Sequence, residues 1–129
     1  RHVSAAPSPT PGRWHGLMLE GRPLAARIRL ADRWHQRAIG LLATRRLDRF
    51  DGLWLRPCAA IHMAGMAYPL DILFLDARGR ILRRVDALAP WRAAACPGAH
   101  ATLELRAGLA RAWQLQPGAT LGLSAPPAA

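Results

Sequence analysis

Residues 58–76, CAAIHMAGMAYPLDILFLD, decide how the rest of this chain is read. From Leu70 to Leu75 the run is apolar at every position but Asp71, which fits a strand covered on both faces and placed centrally in a sheet. Gly65 and Pro69 shape a bend over Ala64–Pro69, and Ala60–Met63 ahead of it reads as extended. Asp76-Ala77-Arg78-Gly79 has the aspartate-first, glycine-last pattern of a type I turn. Ile81–Val85 then returns antiparallel, and its mixed polarity suits a more exposed strand.

Working outward, His15–Glu20 and Leu24–Leu30 alternate in polarity around Gly21-Arg22-Pro23 and predict a β-hairpin. Asp32 is a good N-cap for a helix over about 32–44, in which Trp34, Ala38, Leu41 and Leu42 recur at helical spacing. Gly52–Arg56 predicts a short strand. Ala87–Gly98 reads as a loop around Pro90-Trp91-Arg92, and Ala101–Leu105 as another strand. A short helical turn over about 108–113 and a last strand at Thr120–Leu123 complete the pattern. Many short strands with one clear helix predict a mainly β, compact antiparallel domain of barrel or sandwich type. Residues 1–13, rich in Pro, Ser and Ala, read as a disordered arm, residues 14–124 as a single domain, and 125–129 as a flexible tail.

The bulk numbers agree with one core. The chain has 129 residues, 51% of them hydrophobic, with five tryptophans. That length can bury roughly two-thirds of the unfolded chain's surface without metal or disulfide support. The formal net charge is +10 and every basic residue is arginine. These arginines are scattered, with doublets at Arg45-Arg46 and Arg83-Arg84, and no basic run interleaves with aromatics as single-strand binding requires. A solvated basic surface is the simpler reading, and specific nucleic-acid binding is not favoured. The visible chain shows no apolar leader and no stretch able to span a bilayer as a helix, so the sequence is compatible with either a cytoplasmic or an exported protein.

Cys58 and Cys96 belong to no C-x-x-C pair, which removes zinc-ribbon and thioredoxin-type motifs. Two unlinked thiols are the simpler reading. A disulfide between them would close a loop of about forty residues and stabilise by about 4 kcal/mol on the chain-entropy model, in an oxidising compartment.

Candidate chemistry gathers around the bend. Asp71 and Asp76, five residues apart, point to opposite faces of a strand, so they are not a carboxylate pair. Asp76 reads as the turn-opening residue, and Asp71 as a bracket for the Ala64–Tyr68 bend or a group facing a ligand. Cys58 and His62 lie roughly 13 Å apart in extended chain, too far for a nucleophile pair. His62 and Asp71 can meet across the bend and would serve a general base or a metal, but a third partner is missing, and a hydrogen-bonded core histidine is simpler. His100, Thr102 and Glu104 share one face of a strand, read as solvated, with Glu104 alternatively satisfying an arginine. Met63 and Met66 read as packing. The chain contains no GxGxxG, P-loop, GxSxG or HExxH.

Taken together, several blocks resemble one family, the bacterial and archaeal domain of unknown function family 192, over about residues 23–123. They are Gly40-Leu41-Leu42, Gly52-Leu53-Trp54-Leu55, and Ile61-His62-Met63-x-Gly65-Met66-x-Tyr68-Pro69-Leu70-Asp71-Ile72-x-Phe74-Leu75-Asp76. The Pro90-Trp91-Arg92 loop and Leu103-Glu104-Leu105-x-Ala107-Gly108 follow in order. The resemblance implies a small, barrel-like, mainly β domain and carries over no established activity. Where many members have Phe-Trp-Met-Lys-Asn-Thr, this chain has Ile61 to Met66, and it resembles the branch with a histidine and two sulfurs there, which often has cysteines like Cys58 and Cys96. The family's Gly-Asp turn near the end stands here as Gly118-Ala119.

With no assembled catalytic residues and no cofactor implied, the leading expectation is a non-catalytic accessory module that binds a small ligand or a protein, linked to the cell envelope, secretion or pilus assembly. Its groove would be lined by Trp54, His62, Met66, Tyr68, Asp71 and Glu104. The rivals are a small metal protein or enzyme using His62 and Asp71, and weak nucleic-acid binding through surface arginines, which salt would abolish steeply.

Overall fold

The computed structural model describes residues 14–32 and 51–125. The helix expected over 32–44 and the Arg45-Arg46 doublet fall outside them, apart from Asp32, which ends a strand. The N-terminal arm and residues 126–129 also lie outside.

The first two strands, β1 (Trp14–Leu19) and β2 (Arg22–Asp32), form the expected hairpin. Its turn lies earlier than Gly21-Arg22-Pro23 implied. Glu20 and Gly21 make the connection with φ of 50° and 76°, as a two-residue hairpin turn requires, and Arg22 and Pro23 already pair with Leu19 and Met18. Next come β3 (Gly52–Arg56), β4 (Ala60–His62), β5 (Leu70–Leu75), β6 (Ile81–Leu88), β7 (Ala93–Ala95) and β8 (Ala101–Arg106). A one-turn helix, α1 (Leu109–Ala112), and β9 (Leu121–Leu123) end the described chain. The segment expected as a loop over Ala87–Gly98 therefore begins inside β6 and contains β7.

Among the described residues seven strands form one sheet in the order β6-β5-β8-β3-β2-β1-β9, and β4 with β7 forms a second, two-stranded sheet. All pairs are antiparallel except β2 with β3. The position of β5 corrects one expectation: it is second from an edge, and β3 is in the middle. Its burial does not, since all six residues of β5 are buried.

The reason is a division of side chains by strand parity. On one face Leu73, Leu75, Leu103, Leu105 and Trp54 pack with Leu17, Ile28 and Leu30 and with Leu115 beyond α1. On the other, Leu70, Ile72, Phe74, Leu53 and Leu55 pack beneath Ile61 and Met63 of the β4 segment. A strand with a core on each side must be apolar at nearly every position. Each such leucine or isoleucine contributes about 1.5–3 kcal/mol by leaving water.

The mainly β architecture stands, whereas the barrel alternative is corrected, because the large sheet does not close. Its edges touch at one corner. Arg80 bridges Thr120, the Ile81 N–H donates to the Ala119 carbonyl at 2.8 Å, and the Leu121 N–H donates to the Gly79 carbonyl at 2.8 Å. No ladder continues from there among the described residues. Gly79 is needed at this corner: its φ is +86°, and a Cβ there would lie 1.9 Å from the Leu121 carbonyl oxygen. The turn that delivers it is the expected one. The Gly79 N–H donates to the Asp76 carbonyl at 3.0 Å, and Asp76 Oδ1 accepts from the Arg78 and Arg80 N–H groups, each at 2.9 Å. Those bonds, the Arg80 one first, hold the Asp76 carboxyl below the usual carboxylate range.

Candidate functional site

The six residues expected to line one groove are divided among two interior faces and the surface. Asp71 follows Leu73 and Leu75 onto the first face, where it is 1% exposed. Its Oδ1 accepts from the Ala87 N–H at 2.8 Å, and its Oδ2 from the Gly108 and Ala110 N–H groups at 2.9 and 3.0 Å. The bracket therefore spans different elements from those expected. Asp71 braces the irregular end of β6, where Ala87 has φ 47°, and the start of α1, where Gly108 has φ 99°. It does not brace the Ala64–Tyr68 bend. Three N–H donors offset the cost of burying the carboxylate, and the start of a helical turn favours an anion. Trp54 lies on the same face within the first core.

Glu104 lies on the opposite face. In β8 it stands between Leu53 of β3 and Ile72 of β5, and it is 6% exposed. The solvated face expected for His100, Thr102 and Glu104 is thus corrected at two of its three positions. Thr102 is fully buried, with its Oγ1 donating to the Cys58 carbonyl at 3.0 Å, and His100 alone is exposed. Among the described residues Glu104 Oε1 has no hydrogen-bond partner, and burial pushes the carboxyl up to about 8. The alternative that it satisfies an arginine is not met among the described residues. Arg29 occupies the same cross-strand row beyond Leu53, and its buried Nε is likewise unpartnered.

The three remaining residues sit at the small sheet. His62 is exposed at the end of β4, opposite Ala93, while its neighbours Ile61 and Met63 point into the second core. Met66 and Tyr68 are half-buried against that core. Gly65 between them has φ +79° with open space around its missing Cβ, so the bend needs this glycine for its backbone. No hydrogen bond or ion pair joins His62 to Asp71, whose oxygens are already engaged. Among the described residues, no group of three or more His, Cys, Asp or Glu side chains is placed to hold a metal ion. No helix among them is long and apolar enough to cross a membrane.

Trp91, which the sequence places in the Pro90-Trp91-Arg92 loop without a site role, stands out in the structure. It is 75% exposed, the most exposed large apolar side chain described, and its φ is +68°. A bulky residue in the left-handed region costs on the order of 1–3 kcal/mol and persists only where its surroundings impose it. Here they do. The Trp91 N–H donates to the Met63 carbonyl at 2.9 Å, the Met63 N–H donates to the Arg92 carbonyl at 2.7 Å, and the Arg92 N–H donates to the Ala89 carbonyl at 3.1 Å. The β4–β7 pairing is thereby extended past its strands, and the indole is held out in water. The available signal was a tryptophan between proline and arginine in a stretch with no apolar period to bury it.

Comparison with known proteins agrees with this architecture. The model of the DUF192 family, described as "Uncharacterized ACR", matches residues 17–123. No curated protein matches. Among solved structures, one from Sinorhizobium meliloti 1021, provisionally described as a transcription regulator, superposes with a TM-score of 0.73 at 22% identity, covering 88% of this chain and 96% of that one. Another, a protein of unknown function from Novosphingobium aromaticivorans DSM 12444, gives 0.70 at 24% identity, covering 93% and 94%. At such identities the likeness is one of fold.

Proposed function

This chain belongs to the DUF192 family, and from that premise we propose that it is a non-catalytic binding module whose recognition surface is the exposed end of the β4–β7 sheet. The observation that carries the reading is Trp91, presented to solvent in a strained backbone conformation that Met63 and Arg92 enforce. Single exposed apolar residues are ordinary, but a strained and exposed tryptophan is a typical anchor for a partner. His62, opposite Ala93, and the exposed Arg92, next to Trp91 in the chain, supply polar contacts at the rim. Met66 and Tyr68 give an adaptable, half-buried flank. Trp54, Asp71 and Glu104, which are interior, take no part in this surface.

The partner is an acidic protein segment. The chain carries a net charge of +10, with the exposed Arg92 next to Trp91 in the chain, and Arg83 at the other end of the small sheet, where its Nη1 donates to the Ala95 carbonyl at 2.6 Å. Charge of one sign steers partners of the other. Peptides selected by the full chain from a displayed library should be rich in Asp and Glu around an apolar residue. Trp91→Ala should weaken them at least tenfold while leaving the melting temperature within about 2 °C of the parent, because an exposed side chain adds little to stability. His62→Ala should cost less. Equal affinity in the Trp91→Ala protein would remove this reading.

A further inference from the structure

We propose that Cys58 and Cys96 are a redox pair that closes into a disulfide and locks the small sheet carrying Trp91 and His62. Its chemistry stands by itself, and its consequence for binding rests on the recognition surface described above.

The two thiols are far apart in sequence and adjacent in the fold. The β4–β7 ladder pairs Ala60 with Ala95, and the next rung is formed by the Cys96 N–H donating to the Ala59 carbonyl at 2.9 Å. Cys96 thus sits opposite the chain neighbour of Cys58. The Cys58 N–H donates to the His100 carbonyl at 3.1 Å and the Ala99 N–H to the Cys96 carbonyl at 3.0 Å, so residues 96–100 are fixed alongside 58–59. Opposed Cα atoms in antiparallel chains lie about 4.5–5.5 Å apart, and one residue along adds about 3.8 Å. Regular antiparallel spacing would put the two cysteine Cα atoms about 6 Å apart, inside the range of about 4.4–6.8 Å that a disulfide spans.

Strand parity would normally turn Cys58 and Cys96 to opposite sides. It does not apply here, because Cys58 precedes the first residue of β4 and both side chains pack against the same apolar cluster. Both are free thiols and half-buried, open to a small oxidant. In the reduced structure Cys58 Sγ donates to the Ala60 carbonyl at 3.2 Å, a weak bond that closure replaces.

The oxidant is a low-molecular-weight disulfide such as glutathione disulfide. One cysteine thiolate attacks it, forming a mixed disulfide and expelling one glutathione thiolate, which takes up the proton. The second cysteine thiolate attacks the protein sulfur of that mixed disulfide and expels the second glutathione. Two protein thiols lose two electrons and two protons, and one oxidant disulfide becomes two thiols. The new bond ties the lead-in of β4 to the end of β7. The closed loop of about forty residues contains the bend, β5, β6 and the Trp91 loop, and restricts the unfolded chain accordingly.

The test uses the full chain equilibrated with glutathione disulfide, then alkylated and weighed intact. The expected product is a monomer lighter by about 2 Da that takes up no alkylating agent. It should melt about 10 °C higher, revert with dithiothreitol, and fail to form in Cys58→Ser or Cys96→Ser. Amide exchange should slow at Ala60–Met63 and Ala93–Ala95, and the acidic peptides should bind the oxidised form several-fold more tightly. The proposal is overturned if both thiols still alkylate, if oxidation stops at a glutathione adduct, or if the bond forms between two chains. A bridge that leaves melting, exchange and affinity unchanged also overturns it. Absence of peptide binding in both redox states would fail the recognition surface alone, since mass and melting judge the bridge without it.

Discussion

Between pH 5 and pH 8 this protein should lose stability steeply, and Glu104→Gln should abolish most of the loss. The folded carboxyl is raised from 4.5 to about 8 by burial. Across that window the folded state keeps a proton that the unfolded state has released. Stability conferred by the neutral carboxyl is thus fully present below about 4.5, falls as pH rises, and is gone above about 8. At about 1.4 kcal/mol per pH unit, the full window corresponds to on the order of 5 kcal/mol, a large part of a small domain's total. The amide of the Glu104→Gln protein cannot ionise, so this variant should be roughly as stable as the parent at pH 5 and several kcal/mol more stable at pH 8. Asp76 and Asp86 do not blur the result. Their carboxyls are held low, by the Arg80 N–H and the Arg84 guanidinium respectively, so their contributions disappear only in acid. Urea unfolding at half-unit pH steps measures the slope. The same slope in both proteins, or a stability that rises with pH, would show that Glu104 is not the buried acid described.

Asp71→Ala carries the second large effect. It leaves the N–H groups of Ala87, Gly108 and Ala110 without their shared acceptor in a buried setting. At about 1–3 kcal/mol for each donor stranded, and allowing for water reaching the two less buried ones, the cost is about 4 kcal/mol. Asp71→Asn should lose nearly as much, since an amide offers a single acceptor oxygen to three donors and sets its own N–H₂ against one of them. Amide exchange locates the damage. Protection should fall first at Ala87 and at Gly108–Ala112, while Ala64–Tyr68 stays close to the parent. A loss confined to the bend, or a cost under about 1 kcal/mol, would mean that Asp71 is not the brace.

The contrast among the acids of this chain shows how far residues speak for themselves. Asp76 was legible because its donors are within four positions, so the turn is a property of a short peptide. Asp71 was half legible. A buried carboxylate must be satisfied, which the sequence states, but its donors lie 16, 37 and 39 positions away. Glu104 misled for a related reason. Polar Thr102 and Glu104 alternate with Ala101, Leu103 and Leu105, the signature of a strand with one wet face. Whether that face is wet depends on what lies over it, and Met63 and Ile61 arrive from a separate sheet.

From its sequence alone this protein has its described strands other than β7, their two-residue alternation, the Asp76 turn, the one-turn helix after Gly108 and its family blocks. These follow from backbone sterics and side-chain polarity acting over a few residues. The tertiary structure alone decided that the sheet stays open, that Asp71 serves β6 and α1, that Glu104 is dry, that Cys96 pairs with Ala59, the chain neighbour of Cys58, and that Trp91 is held out to solvent. Each of those depends on contacts between segments tens of residues apart, where loop closure and layer packing, rather than local preference, choose the neighbours.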